Sequence, residues 1–153
     1  MHYWELAKED QRALRPEDFM LTREFTTRWR DNDAWGHLNN AAYYEYFDNA
    51  INDWFLEQLG PTLSHDATLQ FVAESACRYF RETAYPRPLI VGVRVARLGH
   101  SSITFELGLF DAPDGVVGDI CALGRWVQVF VDGETRTPVS VPESVRAMIA
   151  AAS

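Results

Sequence analysis

The feature that most limits how this chain can fold is a helical period near its middle. Tyr43, Tyr46, Phe47, Ala50, Ile51 and Trp54 recur at spacings of three and four, while Glu45, Asp48, Asn49 and Asn52 fall on the other side. Gly60-Pro61 ends the pattern, which gives a helix of about 20 residues, roughly 30 Å long. The rest of the chain beyond it reads as strands: Leu69 to Phe80, Leu89 to Leu98, Ser101 to Phe110 and Val116 to Val131. Ala84 to Pro88, Gly99-His100 and Pro113-Asp114-Gly115 separate them. Strands of about 10 to 15 residues, roughly 33 to 50 Å, can lie along the whole helix. One apolar helix face and several apolar strand faces must then cover each other. With Phe25 to Trp29 as a short first strand, and short connections pairing sequence neighbours antiparallel, the expected architecture is α+β: a βαββββ sheet curved round one central helix.

A chain of 153 residues is long enough to bury its own core as one domain. Residues 1–20, with a short helical stretch from Trp4 to Leu14 that ends near Pro16, read as an N-terminal appendage to a single domain of residues 21–153. The formal charge of −8 argues against nucleic acid or an anionic membrane as a partner, since both need a basic face. The N-terminus lacks an apolar signal core, and no apolar run approaches the roughly 18 residues of a spanning helix. A cytoplasmic, reduced protein is expected. Cys77 and Cys121 sit far apart in strand-like runs without a CxxC, which fits buried thiols and not a zinc site; no cofactor is expected.

The functional groups concentrate just before the helix. Asp31, Asp33, His37, Asn39 and Asn40 are more than a connection requires. Acids and asparagines before a helix commonly cap it. The same place also offers chemistry, because the first amides of a helix lack intrahelical acceptors and favour developing negative charge. A loop kinked at Gly36 would return the Asp33 carboxylate to those amides, where it could act as nucleophile or as general base on water. Only one acid is needed, so Asp31 is assigned to solvent or a structural hydrogen bond. Asp33 and His37 lack a third ligand for a metal. Ser64-His65-Asp66 cannot converge as a triad from adjacent positions and reads as a loop or cap. Trp35 and Tyr43 serve either a binding pocket or the core, and Glu74 could point into an interface.

The run Asp31-x-Asp33-x-x-Gly36-His37-x-Asn39-Asn40, after a short strand and before a tyrosine-rich helix, resembles the hot-dog-fold acyl-CoA thioesterases of the 4-hydroxybenzoyl-CoA thioesterase type. The likeness spans Phe25 to Pro142 and includes Asp132-Gly133, Arg136-Thr137-Pro138 and Pro142 near the end. The resemblance implies a homodimer or homotetramer, with active sites at the dimer interface, that hydrolyses a fatty or aromatic acyl-CoA without metal. It places the catalytic acid on Asp33 and the oxyanion amide on or next to Asn40. His37 would orient water or substrate, and Trp35, Gly36, Asn39 and Tyr43 would contact the substrate. Other hot-dog thioesterases carry their acid on the helix, which makes Glu45 and Asp48 rivals. Arg78, Arg81, Arg87, Arg94 and Arg97 are the available partners for the CoA phosphates. An acyl-carrier-protein thioesterase and a non-catalytic acyl-binding or assembly module are the alternatives.

Overall fold

The computed structural model describes residues 1–60 and 68–153. The central helix, α2, runs from Asn40 to Leu59 and ends at Gly60, whose amide donates to the Leu56 carbonyl at 3.0 Å. Pro61 and Ser64-His65-Asp66 lie outside the described residues. Among the described residues, five antiparallel strands form one sheet: β1 (Leu21–Phe25), β2 (Thr68–Tyr79), β3 (Leu89–Leu98), β4 (Ser102–Asp111) and β5 (Ile120–Asp132). Val91 and Val93 of β3, Ile103, Phe105, Leu107 and Leu109 of β4, and Trp126 and Phe130 of β5 close over Phe47, Ile51, Trp54 and Phe55 of α2. A C-terminal helix, α3 (Glu143–Ala152), adds Val145, Met148 and Ile149 to the same core.

The spatial order β1-β3-β4-β5-β2 corrects the expectation that sequence neighbours pair throughout. β2 pairs with β5, and β3 lies between β1 and β4. The segment after β2 therefore crosses from one side of the sheet to the other, and the buried carboxylate of Asp111 pins it on the way. Arg81, Thr83 and Arg87 all donate to that carboxylate. This crossing carries residues 79–87 past the start of α2.

The first strand also lies earlier than its alternation indicated, at Leu21–Phe25 in place of Phe25 to Trp29. Its register ends with Phe25 opposite Leu89, the first residue of β3, so nothing remains for Thr27 or Trp29 to pair with. Arg28 and Asp31 then draw residues 29–31 into a 3-10 turn, and Trp29 is left 81% exposed. β5 likewise starts at Ile120 and not at Val116, because Pro113–Gly115 form a turn and Val116 and Val117 stay exposed.

Most of residues 1–19 pack on the face of the sheet opposite α2. A 3-10 turn (Tyr3–Glu5) and a short helix, α1 (Lys8–Arg12), replace the continuous helical stretch expected over Trp4 to Leu14. Leu14 and Phe19 form a second apolar cluster with Phe110, Ile120 and Leu123. The Phe19 ring occupies space that glycine leaves open: a Cβ on Gly92 would stand 2.5 Å from it, and one on Gly108 2.6 Å. Arg78 stacks on Trp4 and Arg94 on Tyr3, while Arg94 and the Trp4 amide both donate to the buried carboxylate of Glu106. β4 is consequently covered on both faces.

Candidate active site

The loop that joins β1 to α2 is organised by two aspartates with different tasks. Asp31, 3% exposed, receives the Arg28 backbone amide at 2.9 Å, the Arg28 Nε at 3.0 Å and Nη2 at 2.8 Å, and the Tyr46 hydroxyl. Its backbone carbonyl takes the Asn39 amide at 2.7 Å. Burial alone would raise the pKa of this carboxyl, but the hydrogen bonds from Tyr46 and Arg28 together outweigh it and hold the group below its ordinary value. Asp31 is thus the structural bond between the chain entering the loop and the helix leaving it. Tyr46→Phe should cost about 2 kcal/mol, the worth of a hydrogen bond to a charged acceptor. A carboxyl whose folded pKa is depressed stabilises above its unfolded value and stops doing so as the pH falls through the folded one. The wild-type advantage in urea denaturation should accordingly be full at pH 7 and shrink below about pH 4.

Asp33 organises the turn itself. Its Oδ1 accepts the amides of Trp35 at 2.9 Å and His37 at 3.3 Å, and its backbone amide donates to the His37 carbonyl at 2.8 Å. Gly36 closes the turn with φ +78°, a conformation that side chains resist, and donates to the Asp33 carbonyl at 3.1 Å. Oδ2 of Asp33 has no donor among the described residues. Among the described residues the carboxylate is therefore held at one oxygen and open at the other.

At the helix start, Asn39 is the N-cap and its Oδ1 takes the Ala41 amide at 2.9 Å. The Asn39 carbonyl takes the amide of Ala42 at 2.9 Å. Of these first amides, that of Asn40 alone has no acceptor among the described residues. Of the two positions the sequence left open, the Ala41 amide is occupied and the Asn40 amide is available.

Asp33, His37, Asn40 and Tyr43 line one open cleft of about 270 Å³ together with Leu38, Tyr79, Phe80, Arg81 and Glu82. The Tyr79 hydroxyl donates to the Asn40 carbonyl at 3.2 Å, and its ring meets Tyr43 edge-on at 5.0 Å. His37 Nε2 lies 3.0 Å from Glu82 and is thereby turned to the rim. The structure does not bring the Trp35 ring into the cleft: it is 83% exposed, and only its backbone amide takes part, through Asp33. Gly36 and Asn39 shape the loop and the cap without lining the cleft. Beside Leu38 in the loop itself, the residues that the sequence did not single out here are Tyr79, Phe80 and Glu82. Their signal was their place at the end of a strand, which acquires meaning only once β2 is known to end beside α2.

The rival acids stand elsewhere. Glu45 pairs with Arg28 at 2.8 Å on the other side of the loop, and Asp48 lines a separate cavity two turns along α2. Glu74 pairs with Arg125 on the exposed stretch of β2. Of the five arginines available to CoA phosphates, Arg81 and Arg87 are bound to Asp111 and Arg94 to Glu106, while Arg78 is stacked on Trp4. Arg97 lines a small pocket on the arm-covered face. The thiols of Cys77 and Cys121 are each pushed up to about 12, first of all by burial, so neither is a nucleophile near neutral pH. Among the described residues no group of three or more His, Cys, Asp or Glu side chains could hold a metal ion, and no helix is long and apolar enough to cross a membrane.

The fold, a five-stranded antiparallel sheet packed on one long helix, is matched by known sequences and structures. The sequence profile of the thioesterase-like superfamily fits residues 27–149. The chain belongs to that superfamily. It is a thioester hydrolase with the hot-dog fold. The crystal structure of the PA5185 protein from Pseudomonas aeruginosa strain PAO1 is 40% identical and superposes with a TM-score of 0.81, over 89% of this chain and 93% of that one. A thioesterase from Thermus thermophilus, solved in complex with coenzyme A and zinc, is 29% identical with a TM-score of 0.73, over 89% of this chain and 96% of that one. The YsmA protein of Bacillus subtilis strain 168 is 28% identical over 123 residues, 80% of each chain. The matched profile begins after the N-terminal arm.

Proposed function

We propose that this thioesterase hydrolyses acyl-CoA and that the reaction takes place between Asp33 and the start of α2. The reading rests on one observation: Asp33, whose Oδ2 has no donor among the described residues, and Asn40, whose amide has no acceptor among them, line the same cleft. The thioester carbonyl oxygen would point at the Asn40 amide, where the helix terminus supports the negative charge of the tetrahedral intermediate. Asp33 Oδ2 would either attack the carbonyl carbon, giving a mixed anhydride that water then opens, or take a proton from the attacking water. In both routes a C–O bond replaces the C–S bond and the departing thiolate of CoA takes up a proton. His37, held by Glu82, borders the path of water and substrate, and Tyr43 and Tyr79 wall the cleft.

A second copy of the chain completes the proposal. β2 pairs on one side only among the described residues, runs for 12 residues, and exposes its middle, with Phe71 at 49% and Val72 at 46%. A long free edge of this kind invites pairing with another strand. Antiparallel pairing of two β2 strands about that exposed middle would set Tyr79 of one subunit beside the Leu69 end of the other and place the cleft at the interface.

The test is a panel of acyl-CoAs that varies chain length and aromaticity, with release of free thiol as the readout and light scattering for the assembly. Turnover with at least one member is the expected result. Binding without turnover would replace the enzyme by a non-catalytic acyl-binding module, and turnover of acyl-carrier-protein thioesters alone would move the substrate to the carrier.

A further inference from the structure

Coenzyme A carries about four negative charges on its nucleotide end, and this chain is itself acidic, with a formal charge of −8. A thioester on that carrier needs a local group of cations beside the cleft. Arg81, which lines the cleft, and Arg87 are both held by Asp111 and do not supply it. Cations without a carboxylate partner stand instead on the N-terminal arm, at the other side of the same strand end.

A hollow of about 400 Å³ lies between α1 and the end of β2, lined by Leu6, Lys8, Gln11, Arg78, Tyr79 and Phe80. Lys8 and Arg12 stand four residues apart and share one side of α1, while its acids Glu9 and Asp10 fall on the other sides. Neither cation is paired with a carboxylate among the described residues, and the Arg12 guanidinium lies 5.8 Å from the centre of the Phe80 ring. Gln11 is buried and ties α1 down, its Nε2 donating to the Tyr3 and Trp4 carbonyls at 2.9 Å each. Arg78 faces them from β2. Its Nη1 donates to the Trp4 carbonyl at 2.7 Å and its guanidinium stacks 3.9 Å from the Trp4 ring centre. These contacts fix its position and leave its charge without a carboxylate among the described residues.

The hollow meets the cleft, because Tyr79 and Phe80 line both. Successive side chains of a strand point to opposite faces. Arg78 therefore belongs to the arm side and Tyr79 to the α2 side, where its hydroxyl donates to the Asn40 carbonyl at 3.2 Å. β2 is an edge strand and ends at Tyr79. A flexible chain can cross from one face to the other there without threading the sheet.

We infer that the N-terminal arm holds the phosphates of coenzyme A, through Lys8 and Arg12 together with Arg78, and so selects a CoA thioester over the same thioester on a carrier without phosphate. The inference rests on the acyl-CoA reading of the Asp33 cleft and gives it a second anchor. The acyl group lies at Asp33 and Asn40, the pantetheine chain passes Tyr79 and Phe80, and the phosphates reach α1. Lys8 offers a mobile point charge and the arginines a planar fork, both suited to phosphate oxygens.

The test compares an acyl-CoA with the pantetheine thioester of the same acyl group. Three proteins are assayed: wild type, the double variant Lys8→Gln/Arg12→Gln, and Arg97→Gln, whose cation lines a separate pocket on the arm-covered face. Loss of two exposed charges should raise KM for the acyl-CoA about tenfold and leave kcat unchanged. KM for the pantetheine thioester should not move, nor should the melting temperature, since Gln11 still fastens α1. Added salt should raise the wild-type KM for the acyl-CoA and affect the double variant much less. An unchanged KM for the acyl-CoA in the double variant would overturn the phosphate site and leave the thioesterase reading standing. An equal rise on both substrates would give the two residues a structural role alone, and an equal rise in Arg97→Gln would replace the site by the general field of the surface; either result overturns the inference. Turnover of no acyl-CoA by the wild type would remove both readings together.

Discussion

Asp33→Asn should lower kcat for thioester hydrolysis by about 10³-fold, within the range set by loss of a general base or nucleophile, while KM and the melting temperature hardly move. The geometry separates these effects. Oδ1 of Asp33 is the atom that holds the turn, through the amides of Trp35 and His37, and an asparagine carbonyl can accept both bonds. Oδ2 is the atom without a donor among the described residues, and an amide nitrogen in its place can neither attack a carbonyl nor take a proton from water. Asp33→Ala would confuse the matter by dismantling the turn as well. A fall in kcat at constant KM would mean that the lost interaction exists in the transition state and not in the bound substrate. If the asparagine variant instead kept most of its activity, the acid would have to be sought at Asp48, the rival that also lines a cavity. Glu45 would remain a poor substitute, paired with Arg28 away from the cleft.

The loop and the helix were legible in the sequence because both are local. A 3.6-residue period, an N-cap asparagine and a glycine at a turn record their surroundings within a few positions, and α2, the Asn39 cap and the Gly36 turn are found where those signals lie. Sheet order is not local in this sense. Nothing in Leu69 to Phe80 states that the strand will pair with β5, some fifty residues later, and so deliver Tyr79 and Phe80 to the start of α2. The alternation at Phe25 to Trp29 was real as a pattern, but a strand needs a partner as well as a period, and β3 offers none past Leu89. Trp35 misled for a related reason: aromatic residues near a loop suit a pocket or a surface equally, and the tight Asp33 turn points this one outward. The two arginines bound to Asp111 could have served CoA by composition, and only the buried carboxylate shows why they are engaged.

That carboxylate carries the largest expected effect on stability. Asp111, fully buried at the end of β4, receives Arg81, Thr83 Oγ1 at 2.9 Å and Arg87 Nη1 at 3.2 Å. These three residues belong to the crossing segment that backs the Asp33 loop. The Thr83 carbonyl accepts the Leu38 amide at 2.8 Å, the Arg87 carbonyl accepts the Thr27 hydroxyl at 3.0 Å, and the Tyr85 amide donates to Asn32 Oδ1 at 2.9 Å. Asp111→Ala would leave two guanidinium groups facing each other across an empty site. Removing one member of a buried ion pair typically costs about 3 to 5 kcal/mol. Here about 3 kcal/mol is expected, because the Arg81 and Arg87 side chains keep 34% and 47% of their exposure and can turn to water. Burial works against the ionised form of Asp111, yet the bonds from Arg81, Thr83 and Arg87 prevail and keep its pKa below the ordinary carboxylate value. Its contribution is therefore complete above the unfolded value and is lost as the pH falls through the folded one. Urea denaturation should show the wild type ahead by the full amount at pH 7 and pH 5, with the gap closing toward pH 3; a constant gap would mean that Asp111 acts by filling space and not by its charge. Because the same segment supplies Arg81 and Glu82 to the cleft, the variant should also bind substrate more weakly at temperatures where it remains folded, with a rise in KM as the sign that the wall of the cleft has loosened.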